Sequence, residues 1–130
     1  TATPQFVAQV IAERLGLTGA LGTRVHAEDG LLTGELDGHV LHGPEKATVA
    51  TELAERVGAD LADCWAYSDS SNDIPLLSAV GNRVAVNADV KLTHHAQTMG
   101  WQIMPLNRAG LKEARKRVKR QARSVRKSSR

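Results

Sequence analysis

Residues 64–77 read CWAYSDSSNDIPLL. A short, mostly apolar run at 64–68 stops at a polar cluster, Asp69-Ser70-Ser71-Asn72-Asp73, and residues 74–80 then have the character of a short helical turn. That switch spells strand, loop, helix. Two carboxylates four residues apart, Asp69 and Asp73, therefore stand in a loop just past a buried strand, where open α/β sheets bind their ligands. Hard divalent cations take oxygen ligands and keep several waters, so one or two carboxylates on such a loop make a partial site. Asn72 and Asp73 are also good helix starters, and a short acidic loop alone leaves both uses open.

Working outward, residues 84–86 spell another short strand, 89–99 a helix and 101–104 a final strand. On the N-terminal side, residues 4–15 carry Phe6, Val7, Val10, Ile11 and Leu15 at helical spacing. Thr3 offers a cap, Pro4 fits the first position and Gly16 the stop. Segments 23–27 and 31–36 flank Glu28-Asp29-Gly30, the composition of a tight hairpin turn. Gly43-Pro44 opens a second helix that runs to about Val57, and Gly58 closes it. Short buried strands alternating with helices predict an α/β layered fold whose parallel sheet is covered on both faces.

Gly43-Pro44-Glu45-Lys46 places Lys46 in the first turn of that second helix, where free N–H groups and the helix dipole already favour an anion. A lysine there adds charge of the same sign, and a phosphate would offset it. Phosphoryl transfer relies on such cations to neutralise the moving group. The plainer alternative is a lysine that points into solvent, as most do. At the start of the chain, Thr1-Ala2-Thr3-Pro4 sets hydroxyls at a helix start, suited either to a phosphate oxygen or to capping.

Composition bounds the rest. With 130 residues and 42% hydrophobic content, the chain has the size of one compact domain, placed at 1–107. Cys64 is the one cysteine, so no internal disulfide forms and a reducing, cytoplasmic compartment is expected. No apolar run approaches the ~20 residues of a bilayer span, and the start carries no signal-peptide pattern. The chain begins without Met and opens directly on a helix-start signal, which reads as a truncated start. Residues 108–130 hold eleven Lys and Arg against one acid, Glu113, while residues 1–107 hold thirteen acids against six bases. An acidic body thus carries a basic tail. The tail's apolar stripe (Leu111, Ala114, Val118, Ala122, Val125) is weak, which suits a surface helix or a disordered segment. Its charge fits a nonspecific anionic partner, such as a nucleic-acid backbone or lipid headgroups, or a solubilising role.

Read together and in order, these elements resemble the later motifs of haloacid dehalogenase (HAD) superfamily phosphatases, in particular the branch that includes phosphoserine phosphatase. Thr1 in Thr-Ala-Thr-Pro is similar to the family's hydroxyl motif, Lys46 in Gly-Pro-Glu-Lys to its lysine, and Tyr67 to Leu77 to its acidic loop. Thr33-Gly34, Val80-Gly81, residues 85–89 and Gly100-Trp101 extend the resemblance over about residues 1–104. It implies a HAD-like, Rossmann-like layered fold with a β-hairpin, incomplete at its N-terminus. It also implies roles: Thr1 and Lys46 bind the transferred phosphoryl group and Asn72 touches it, Asp69 ligates Mg²⁺ directly, and Asp73 supports the metal through water or hydrogen bonds. Lys46, Asp69 and Asp73 would be the catalytic residues, and a small phosphorylated metabolite the substrate.

The family's reaction passes through an aspartyl-phosphate formed on an Asp-x-Asp signature. That signature is missing, since no two Asp in this chain stand two residues apart. The chain alone is therefore expected to be inactive, and a segment outside it to supply the nucleophile and a central strand whose loss leaves an apolar sheet edge exposed. The competing reading is a non-catalytic HAD-fold binding protein that uses its tail to contact nucleic acid or an anionic membrane.

Overall fold

The computed structural model describes residues 1–106, so the reading of 108–130 lies outside the described residues. The order of elements is α1 (Gln5–Leu15), β1 (Val25–Glu28), β2 (Leu31–Leu36), α2 (Pro44–Val57), β3 (Trp65–Ser68), α3 (Ile74–Ala79), β4 (Asn82–Val86), α4 (Val90–Met99) and β5 (Gln102–Met104). They fall into two compact units, one built on residues 3–37 and one on 38–105.

In the first unit, α1 ends at Gly16, whose left-handed backbone returns its N–H to the carbonyls of Ala12 and Glu13. Its start is pinned by Gln5. The Gln5 main-chain N–H donates to the Thr23 carbonyl at 2.8 Å, its amide nitrogen to the Ala20 carbonyl at 2.9 Å, and its amide oxygen accepts from Gly22 at 2.6 Å. Ala8 and Ala12 are the buried residues of α1, whereas Phe6, Val10, Ile11 and Leu15 of its apolar stripe are about half exposed. The hairpin pairs β1 and β2 antiparallel, with Glu28 opposite Leu31. Asp29 and Gly30 form the two-residue connection, both at positive φ (50° and 79°), as a type I′ turn requires.

In the second unit, β3, β4 and β5 form a parallel sheet in sequence order, with Ser68 opposite Ala85 and Ala85 opposite Ile103. Helices α3 and α4 are the crossovers. Leu77, Val80, Leu92 and Ala96 from the helical side pack on Ala66 and Ala85 of the sheet to form the core. Coverage of both faces, expected from the sequence, holds at the central strand, where the neighbours Val84 and Ala85 point to opposite faces and both are buried. At β3 it does not hold. Ala66 is buried, but Trp65 and Tyr67 on the other face are 57% and 56% exposed, their rings stacked 6.2 Å apart. The reason is position: β3 is an edge strand among the described residues, with β4 as its one partner. Among the described residues no helix is long and apolar enough to cross a membrane.

Candidate active site

The loop after β3 is short and self-braced. Ser70 accepts from the Asn72 main-chain N–H at 3.3 Å and so starts a 3₁₀ turn over Ser71–Asp73, which leads straight into α3. Pro75 sits in the first turn of α3 and costs no hydrogen bond there. Although Asp73 holds the cap position of α3, its side chain makes no capping bond. It turns instead toward α2.

Lys46 comes from the first turn of α2. Gly43 precedes it at φ 58° and ψ −124°, a backbone that only glycine adopts cheaply, and Pro44 fixes the first helical position. The Lys46 Nζ donates to Asp73 Oδ1 at 2.7 Å and Oδ2 at 3.0 Å, across 27 residues of sequence. Ser68 Oγ, at the end of β3, donates to Asp73 Oδ2 at 2.7 Å, and Ser68 Oγ in turn accepts from the Ser70 N–H. The solvent-pointing alternative for Lys46 does not hold, for its side chain is 22% exposed and that of Asp73 10%. The counter-charge expected from a phosphate is supplied within the chain by Asp73.

This geometry sets the charge state of Asp73. Burial by itself would push its pKa up, but the Lys46 and Ser68 hydrogen bonds, with the charges of Lys46 and His42, outweigh it and hold the carboxyl below its ordinary 3.8. A depressed folded-state pKa contributes stability that is present above the unfolded value and lost as pH falls through the folded one. Asp73→Asn is therefore expected to cost about 2 kcal/mol near neutrality, fewer than for a fully buried pair because Lys46 is partly exposed. In denaturant titrations that difference should shrink as pH falls below the ordinary carboxylate value of 3.8 and wild type in turn loses the ion. A gap between the two proteins that stays constant across that window would contradict it.

Asp69 is placed differently. It is exposed and lines an open pocket of about 320 Å³ with Tyr67, Ser68, Val86 and Asn87, at the carboxyl ends of β3 and β4. Asn87 bends the chain out of β4 with φ 45°, uncommon for a residue with a Cβ. Among the described residues no three His, Cys, Asp or Glu side chains gather closely enough to hold a metal ion. One open carboxylate beside main-chain and amide oxygens still fits a hard cation that keeps most of its waters and draws further oxygens from substrate or from another segment. Both oxygens of Asp73 are engaged by Lys46 and Ser68, which suits it to hold Lys46 rather than to ligate directly.

Of the other expected residues, Asn72 is exposed in the same loop. Thr1 belongs to the first unit, where its hydroxyl donates to Thr3 Oγ1 at 3.1 Å and accepts from the Thr3 N–H at 3.2 Å. The structure adds two residues that the sequence alone does not mark. Ser68 looked like the last residue of a strand, and nothing in its sequence marked it as a donor to Asp73. Asp89 was read as the start of a helix; its carboxylate caps α4 through the Leu92 N–H at 2.7 Å, but it also accepts from the Ser71 N–H at 2.7 Å. Those two amides hold its pKa below the usual value.

A lysine on a helix start, bound to the second carboxylate of a strand-end Asp-x-x-x-Asp loop, is joined by a match over more than half of the sequence: the family model for haloacid dehalogenase-like hydrolases matches residues 1–78. The chain belongs to this family. HAD-like relatives agree in sequence and in fold. Phosphoserine phosphatase SerB1 of Mycobacterium tuberculosis is 53% identical over 103 residues, covering 79% of this chain and 33% of that protein. A Bordetella pertussis protein of unknown function superposes with a TM-score of 0.72 at 34% identity, over 80% of this chain and 48% of that one. A phosphoserine phosphatase solved as a phospho-aspartyl intermediate analogue superposes with a TM-score of 0.60 at 29% identity, over 86% of this chain and 51% of that one. The HAD-like α/β fold, with its parallel sheet and hairpin, is thus the fold of this chain, and its family is one of hydrolases. The chain spans about a third of the length of the first curated relatives it matches.

Proposed function

We propose that this chain carries the phosphate-binding and metal-binding groups of a Mg²⁺-dependent phosphomonoesterase. The observation that carries the reading is the bond between Lys46 and Asp73, which brings the lysine and acidic-loop motifs together at the end of β3 that also bears Asp69. In this reading Lys46 donates to the transferred phosphoryl group and Asp73 holds its ammonium in place. Asn72 adds a donor to the phosphate oxygens. Asp69 would hold Mg²⁺, which when bound neutralises charge on the phosphate. The nucleophile is an aspartate outside these 130 residues. Its carboxylate attacks phosphorus as the ester oxygen departs with a proton, and water then cleaves the aspartyl-phosphate to regenerate the carboxylate and release phosphate.

The same segment would pair with the free edge of β3 and cover Trp65 and Tyr67. Small phosphomonoesters are the substrate class, with phosphoserine the first candidate because relatives carry that name. A reducing, cytoplasmic setting belongs to the same proposal and rests on the one thiol of the sequence.

The test is hydrolysis of p-nitrophenyl phosphate at varied Mg²⁺. The full-length protein should turn it over only with Mg²⁺, the 130-residue chain should show no turnover above a heat-killed blank, and Asp69→Ala in the full-length protein should raise the half-saturating Mg²⁺ by about tenfold or more. Turnover by the isolated chain, or an Asp69→Ala protein with wild-type metal dependence, would refute the assignment.

A further inference from the structure

The loop that carries Asp69 is gripped from outside by Asp89. The main-chain N–H of Asp89 donates to the carbonyl of Asp69 at 2.8 Å, and Asp89 Oδ2 accepts from the main-chain N–H of Ser71 at 2.7 Å. One residue thus bonds the loop on both sides of Ser70. Its other oxygen, Oδ1, accepts from Leu92 at 2.7 Å, and its carbonyl from Thr93 at 2.8 Å, so the grip is anchored in the first turn of α4. That helix is itself fixed, since Leu92 and Ala96 are fully buried in the core of the sheet. The loop's own bracing comes from the short hydroxyls of Ser68 and Ser70, and Asp69 and Asn72 in it are exposed. A carboxylate spanning two amide donors, one on the loop and one on a core helix, transmits the rigidity of the core to the loop. A simple helix cap would need only the Leu92 bond.

We propose that Asp89 is a positioning residue for the metal-binding loop: it holds the main chain at 69–71 so that the Asp69 carboxylate meets a divalent cation without first paying to order the loop. The inference rests on the reading of Asp69 as a metal ligand. It assigns Asp89 no contact with metal or substrate.

Two variants separate this role from capping. Serine is as good a helix cap as aspartate, but its single short-armed oxygen cannot serve Leu92 and Ser71 together, so Asp89→Ser keeps the cap and the main-chain bond to Asp69 and loses the bond to Ser71. In Asp89→Asn the amide group meets the Ser71 donor with a donor of its own. In the full-length protein, amide hydrogen exchange at Ser71 should rise at least about tenfold in both variants while Leu92 stays protected. Direct Mn²⁺ binding, read by electron paramagnetic resonance without any substrate, should weaken by about fivefold, less than for loss of a group bonded to the ligand's own oxygen.

Wild-type Mn²⁺ affinity in both variants, with Asp69→Ala defective in parallel, would overturn the proposal and leave Asp89 a helix cap. Wild-type affinity in Asp69→Ala would instead remove the metal ligand itself, and the positioning role with it.

Discussion

Lys46→Met is expected to lower kcat/KM of the full-length protein by about 10²–10³-fold, the usual cost of removing one donor aimed at developing negative charge. An ammonium has three donors. Asp73 takes bonds to both of its oxygens, and the remaining capacity is what the proposal directs at phosphate. The same substitution strands the Asp73 carboxylate with Ser68 as its remaining side-chain donor, at a cost of about 2 kcal/mol of stability. The two effects separate in a double variant. Pairing Lys46→Met with Asp73→Asn removes the orphaned charge, so stability should largely return while the rate does not. Lys46→Arg keeps the charge but replaces a compact ammonium by a planar fork, and should retain most of the stability with about a tenfold loss of rate. The measurements are steady-state kinetics and urea midpoints on the four proteins. If Lys46→Met turned over substrate within threefold of wild type, the lysine would have no part in the chemistry, and the pair with Asp73 would be structural.

Gly81→Ala should be the most damaging single methyl in the described chain. Gly81 joins α3 to β4, and a Cβ added there falls on the carbonyl oxygen of Ala62, with the Ala62 carbonyl carbon at 2.6 Å and its Cα at 2.9 Å. Neither side can yield. The Gly81 N–H donates to the Leu61 carbonyl at 2.8 Å and the Asn82 N–H to the Cys64 carbonyl at 3.0 Å, so the 3₁₀ turn Leu61–Asp63 and the start of β4 are tied together by main chain. Relief would mean breaking those bonds and shifting β4, on which Val84 and Ala85 build the buried centre of the sheet. A loss of about 3 kcal/mol is expected, at the upper end for overpacking. Gly100→Ala is the useful contrast. Gly100 has φ 68° but nothing within 4 Å of an added Cβ, so it should cost only about 1 kcal/mol, through backbone strain alone. Urea midpoints that rank the two the other way round would show that the contact at Ala62 relaxes freely.

Much of the fold is legible because its boundaries are punctuated. Gly16, Gly58 and Gly100 each end a helix in the left-handed conformation, and Pro44 occupies the first turn of α2. Asp29-Gly30 makes the turn its composition announces. Differences from the sequence reading are of one or two residues at most ends, as with β4, which begins at Asn82 rather than 84. The two 3₁₀ turns were not foreseen, because their signals, Asp60 and Ser70 accepting from the N–H two residues on, are indistinguishable from ordinary loop serines and aspartates. Missed for a different reason was the open face of β3: an alternation of exposed and buried residues in four positions, Trp65 to Ser68, looks in sequence like a uniformly apolar buried strand.

The candidate site divides along the same line. By itself the sequence determined the order of helices and strands, the chemistry available at residues 46, 69 and 73, and the lack of an Asp-x-Asp pair, because these follow from local backbone preference and residue type. The partners were decided only by tertiary structure. Asp73 had two uses open to it, a cation-site carboxylate or a helix start, and the approach of α2 to the end of β3 gave its side chain another, the bonds to Lys46 and Ser68. Asp89 took on a second bond because α4 begins beside the loop. Such pairings join residues 18 and 27 positions apart, and a side chain's partner at that range is set by how the core packs the elements that carry it.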